Sequence, residues 1–116
     1  MCQPAHWAEQ LALRSVTKRG WRCLAANYRT RFGEFDLLCH TGTHLALIEV
    51  KQRAQGTFGA AAEMITRQQL GRIMRTFEHY LLYHPEHRQL PVQIDAFLVA
   101  GTPTKHTVEH LENITA

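Results

Sequence analysis

Three charged residues sit where a buried strand does not ordinarily carry them. Asp36 lies between Phe35 and Leu37, and Glu49 and Lys51 flank Val50. A lone buried charge costs several kcal/mol unless it is paired or holds a metal. The stretch that contains them, GEFDLLCHTGTHLALIEVKQR from Gly33 to Arg53, reads as an apolar run, a short polar turn and a second apolar run. With the turn centred near Gly42 and Thr43, Asp36 and Glu49 fall opposite each other in an antiparallel pair, their Cβ atoms about 4.5–5.5 Å apart. Strand alternation then puts Lys51 on the face of Glu49. Two facing carboxylates repel unless a cation lies between them, and Mg²⁺ takes one or two carboxylates plus water. The competing reading is a solvent-facing hairpin edge with ordinary charges; the apolar surroundings weigh against it.

The rest of the chain must position this hairpin. Residues 4 to 19 read as a helix with Ala8, Leu11, Ala12, Ser15 and Val16 at helical spacing, closed by Gly20 after Lys18 and Arg19. Glu9 lies beside that stripe and taken alone reads as a solvated helix charge. Trp21 to Arg29 reads as a strand running into a basic loop. Arg22, Arg29, Arg31 and Arg53 cluster around the hairpin in sequence, and guanidinium forks match phosphate oxygens, although solubilising charge explains them equally well; Arg29, Arg31 and Arg53, with Arg67, are the candidate nucleic-acid contacts. After a loop with Gly56 and Gly59, a long helix is expected from about Ala60 to Tyr83, its apolar row formed by Ile65, Ile73, Phe77 and Leu81. Gln69 falls in that row, where an amide needs hydrogen-bond partners. His84 and His87 suggest a metal, but Pro85 opposes helical continuation and no cysteine or third ligand is near, so the segment from His84 to Pro91 is expected to be a solvated polar connection. Val92 to Ala100 reads as a buried strand with one more displaced carboxylate, Asp95, and Thr107 to Ile114 as a short edge strand. The order is helix, three strands, helix, then one or two strands: an α/β fold with a mixed sheet flanked by helices.

At 116 residues, 45% hydrophobic and 20% charged, the chain has the size and composition of a single domain spanning residues 1–116. No run of eighteen apolar residues occurs, so no membrane partner is expected. The net charge of +3 permits a nucleic-acid partner without demanding one. The opening MCQPAHWAEQ lacks a signal-peptide pattern. Three cysteines, Cys2, Cys23 and Cys39, without CxxC spacing, argue for a reducing cytoplasm and against both disulfides and zinc.

Glu9 on the opening helix, GE-x-D at Gly33 to Asp36, E-V-K at Glu49 to Lys51, the FGAAA of Phe58 to Ala62, the Gln69 helix and the Asp95 strand together resemble the YraN-like uncharacterised bacterial family. That family is similar in turn to Holliday-junction resolvases and restriction-endonuclease-like nucleases of the PD-(D/E)XK type. The resemblance implies a restriction-endonuclease-like α-β-β-β-α-β(β) core. It implies Asp36, Glu49 and Glu9 as ligands of Mg²⁺, with Mn²⁺ as a substitute, Lys51 as catalytic lysine and Gln69 as a water-orienting group. The implied activity is endonucleolytic cleavage of structured, branched DNA, with DNA favoured over RNA, and a homodimer is compatible with it. A nucleic-acid-binding module on the same scaffold, without turnover, is the alternative. Relatives usually carry Lys where this chain has Gln68, and Arg where it has Gln93.

Overall fold

A computed structural model describes residues 2–55 and 65–115. In chain order these form helix α1 (Trp7–Lys18), strands β1 (Arg22–Thr30), β2 (Gly33–His40) and β3 (Leu45–Arg53), helix α2 (Arg67–Tyr83), a 3₁₀ turn (Pro85–His87), and strands β4 (Val92–Gly101) and β5 (His106–Leu111). The mixed α/β order anticipated from the sequence is present. The two helices start later than expected, and in both cases the cause is a capping box. His6 caps α1, its ring accepting from the Ala8 N–H while its own N–H donates to Glu9. Thr66 caps α2, exchanging side-chain and backbone bonds with Gln69. Such reciprocal bonds satisfy donors that the first helical turn leaves open. Ile65 is therefore buried ahead of the cap and not within the helical row. The FGAAA stretch and the expected helix start at 60–64 lie outside the described residues.

The strands form one sheet in the order β1-β2-β3-β4-β5. The β1–β2, β2–β3 and β4–β5 pairs are antiparallel and β3–β4 is parallel. A parallel pair needs a crossover, and α2 lies in the connection that supplies it. The two helices cover opposite faces. Ala8, Ala12 and Val16 of α1 pack with Leu37, Cys39, Ala46, Ile48, Phe97 and Val99. Ile73, Phe77, Tyr80 and Leu81 of α2 pack with Phe35, Leu38, Leu45, Leu47, Ile94 and Leu98. Strands covered on both sides have no wet face, which is why LALI and AFLV read as unbroken apolar runs. Among the described residues no helix is long and apolar enough to cross a membrane.

The cysteine expectation is overturned. Cys2 and Cys23 form a disulfide with Cα atoms 6.1 Å apart, inside the range such a bond requires. The cause is tertiary: the segment ahead of α1 runs back along β1, where the Ala5 N–H donates to Asn27 Oδ1 at 3.0 Å. Cys39 is the free, buried thiol. The odd count therefore carries no argument about compartment.

Candidate active site

The β2–β3 ladder runs from His40↔Leu45 to Leu37↔Ile48. The next pair outward is Asp36 with Glu49, as the turn position anticipates. There the side chains replace the ladder's bonds. The Asp36 N–H donates to Glu49 Oε2 at 3.2 Å, and the Val50 N–H donates to Asp36 Oδ2 at 2.8 Å. Side-chain alternation slips at the same point. Phe35 packs on the α2 side and Leu37 on the α1 side, although residues two apart in a regular strand share a face. Across β1, Asn27 lies between the pairs Ala26↔Leu37 and Tyr28↔Phe35 and has φ 51°. The irregularity thus spans both strands and is centred on Asp36.

Glu9 reaches this irregularity from α1. Its Oε1 accepts from the His6 N–H at 3.1 Å and from Asn27 Nδ2 at 3.1 Å. It is also close enough to Asp36 to push that carboxyl's pKa upward. Glu9 is therefore a half-buried member of the cluster, contrary to its reading as a solvated charge.

The electrostatics follow from this crowding. Burial pushes Asp36 up to about 6; the Val50 N–H pulls it down, while Glu9 and Glu34 push it further up. Burial pushes Glu49 up to about 8 and the neighbouring Asp36 charge adds to this, opposed by the Asp36 N–H and by Lys51. Ionisation of Asp36 and of Glu49 is resisted by burial and by neighbouring negative charge. A bound cation removes that conflict for both at once.

Glu49 and Lys51 line a hollow of about 220 Å³ with Gly33, Glu34, Gln69 and Arg72. The predicted shared face of Glu49 and Lys51 is thereby met. Gln69 lies at the hollow too, but its Oε1 is committed to the Thr66 N–H at 3.0 Å. At the rim, Gly33 has φ 145°, and a Cβ there would lie 3.2 Å from the Arg72 Cβ. Glycine is what lets α2 close onto β2.

Sequence reasoning missed Glu34 and Arg72. Arg72 was available in principle, since it stands three residues after Gln69 on the same helical face. It lines a second, adjoining hollow of about 390 Å³ together with Arg29, Arg31, Phe32 and Glu34. Arg29 Nε bonds Glu34 Oε2 at 2.9 Å, and the Arg31 guanidinium lies 5.0 Å from the Phe32 ring centroid. Two of the four candidate arginines are therefore brought to the site. Arg67 is exposed at the first position of α2, and Arg53 is exposed at the last position of β3, lining neither hollow.

Asp95 belongs to a separate arrangement. It is fully buried and accepts from Gln93 Nε2 at 3.0 Å and from the Asn113 N–H at 2.9 Å. His110 Nε2 lies 2.8 Å from its Oδ2. Arg19 NH1 stands 3.2 Å from His110 Nδ1; a guanidinium only donates, so Nδ1 accepts and Nε2 donates to Asp95. The network ties α1's end, β4, β5 and the segment after β5 together.

The model of the uncharacterised protein family UPF0102 matches residues 8–99. A UPF0102 protein of Thermus thermophilus is 42% identical over 105 residues, 90% of this chain and 90% of the relative. One of Acinetobacter baumannii is 36% identical over 93 residues, 80% of this chain and 70% of the relative. One of Legionella pneumophila is 32% identical over 101 residues, 87% of this chain and 86% of the relative.

Proposed function

We propose, for a chain that belongs to the uncharacterised protein family UPF0102, a metal-dependent endonuclease of restriction-endonuclease-like architecture that hydrolyses phosphodiester bonds in structured, branched DNA. The observation that carries this reading is the reciprocal pair at the end of the β2–β3 ladder. Two half-buried carboxylates, Asp36 and Glu49, each take one backbone N–H and are otherwise set against each other, with Glu9 against Asp36 and Lys51 beside Glu49.

The donor set suits a hard cation. Asp36, Glu49 and Glu9 offer carboxylate oxygens only, the chemistry that Mg²⁺ prefers and Mn²⁺ accepts. When bound, the cation supplies polarisation of a phosphate oxygen and a lowered pKa for water. The chain's own residues do the rest. Lys51 lines the same hollow as Glu49, where its charge offsets negative charge developing on the phosphoryl oxygens in the transition state. Gln69, its carbonyl oxygen held by the Thr66 N–H, has an amide nitrogen to offer a water or phosphate oxygen. Arg29, Arg31 and Arg72, around the adjoining hollow, take neighbouring backbone phosphates and set the strand's register without reading its sequence. Branched DNA is the substrate class implied by the likeness to resolvases, and a junction with two symmetric cleavage points suits a homodimer.

The test is a cleavage screen of labelled four-way, flap, duplex and single-stranded substrates with Mg²⁺ and with Mn²⁺, comparing wild type with Glu49→Ala. Metal-dependent cleavage of a branched substrate that vanishes in Glu49→Ala is expected. Cleavage retained by that variant, or no cleavage of any substrate with either metal, overturns the reading.

A further inference from the structure

At the other end of α2 from Gln69, about 20 Å away at 1.5 Å per residue, a different group of ligating side chains comes together. We propose that His84, Glu86 and His87 form a site for a transition-metal ion of the Zn²⁺ class, independent of the carboxylate cluster.

One ligand atom from each of the three residues lies within 4.8 Å of the others, and His84 Nδ1 stands 3.7 Å from Glu86 Oε2. Ligands about 2.0–2.1 Å from a tetrahedral Zn²⁺ are roughly 3.3–3.5 Å apart. Closing the group therefore needs shifts of about an ångström in side chains that are exposed or half-buried. The donors decide the metal. Two imidazoles and one carboxylate favour Zn²⁺ and its first-row neighbours over Mg²⁺, whose preference is for oxygen. Three protein ligands leave the fourth position to water.

The backbone brings the donors together before any metal arrives. Pro85 has a fixed φ, and the turn it opens is closed by the His87 N–H donating to the His84 carbonyl at 3.1 Å. In a 3₁₀ turn residues three apart eclipse, which brings the two imidazoles side by side, 6.1 Å apart and 17° from parallel. Buried Tyr80 supports them both. Its ring stacks on His84 at 4.1 Å and lies nearly parallel to His87 at 5.9 Å. Its hydroxyl lies 3.3 Å from His87 Nδ1, orienting that ring as outer partners orient metal-bound histidines. The segment read from the sequence as a plain solvated connection thus holds the parts of a metal site. The cysteines, on which zinc was discounted, take no part in it.

The experiment is calorimetric titration of ZnCl₂ into the chelator-stripped full-length protein carrying Glu49→Ala, which disables the carboxylate cluster. His84→Ala, His87→Ala and their combination are then added to that background, with far-UV circular dichroism as the check on folding. One saturable site is expected, weakened at least about tenfold by either single change and abolished by the pair. Co²⁺ in place of Zn²⁺ should give the visible absorption of a tetrahedral N/O site, lost in the double variant. Zn²⁺ binding unchanged in the double variant, or no saturation below millimolar Zn²⁺ in the parent, overturns the proposal.

Discussion

Asp36 and Asp95 are both aspartates set between apolar neighbours on strands of one sheet, and their surroundings treat them in opposite ways. Asp95 has no exposed surface and meets three donors, from Gln93, Asn113 and His110. Asp36 is partly accessible, takes a single backbone bond from Val50, and otherwise faces the carboxylates of Glu9, Glu34 and Glu49. The difference teaches that burial does not by itself mark a reactive carboxylate. What matters is whether the fold supplies donors, as it does for Asp95, or crowds the group with like charge that something from outside must neutralise.

Four measurements break or sharpen this contrast. The largest effect is expected at Asp95: Asp95→Ala strips three donors of their acceptor and should cost about 3–5 kcal/mol of unfolding free energy in urea denaturation. A loss under about 1 kcal/mol means that the network is not structural, and the contrast fails. Next comes Lys51→Ala, expected to lower metal-dependent cleavage by about 10²–10³-fold with the thermal midpoint little changed; a variant that unfolds instead places Lys51 on the structural side.

The third measurement uses pH. Asp36 and Glu49 have folded-state values raised to about 6 and about 8, above the usual carboxylate range near 4. The folded state therefore holds more protons than the unfolded chain in between. Their stabilising contribution is complete below about pH 4 and is lost as pH rises through 6 and 8. The metal-free protein should accordingly melt at a lower temperature at about pH 9 than at about pH 5, and Glu49→Gln should flatten that slope. Added Mg²⁺ should recover more stability at the alkaline end, where both carboxylates are ionised; equal recovery at both ends counts against the cluster as the binding site. The smallest effect belongs to Arg72→Ala, expected to weaken DNA binding severalfold and to reduce the exponent of its salt dependence by about one. An unchanged exponent removes Arg72 from the phosphate path.

The parts of this arrangement that were legible in the sequence depend on short-range geometry. The turn near Gly42 sets the meeting of Asp36 with Glu49, and the two-residue period of a strand sets Lys51 beside Glu49. Glu9 was reachable only through resemblance, because its approach to Asp36 is a helix-to-sheet contact that no local period encodes. Gln69 was seen at the right end of the right helix but for an incomplete reason: its row position suggested burial, and it serves as half of a capping box. The Cys2–Cys23 bond stayed hidden because cysteine counting ignores how the chain's first residues fold back, a path set by Asn27 accepting from Ala5 and by the slip in β1. Glu34 and Arg72 were not singled out, since what makes them relevant is the close approach at Gly33.

That fold-back has a consequence for the chain as a covalent object. The bond from Cys2 to Cys23 encloses all of α1, including Glu9 and the basic residues Arg14, Lys18 and Arg19. A protease cut after any of those three leaves two fragments that remain joined. The piece bearing Glu9 is still tethered at the start of β1, so a nicked chain runs as one species on a non-reducing gel and as two once a thiol is added.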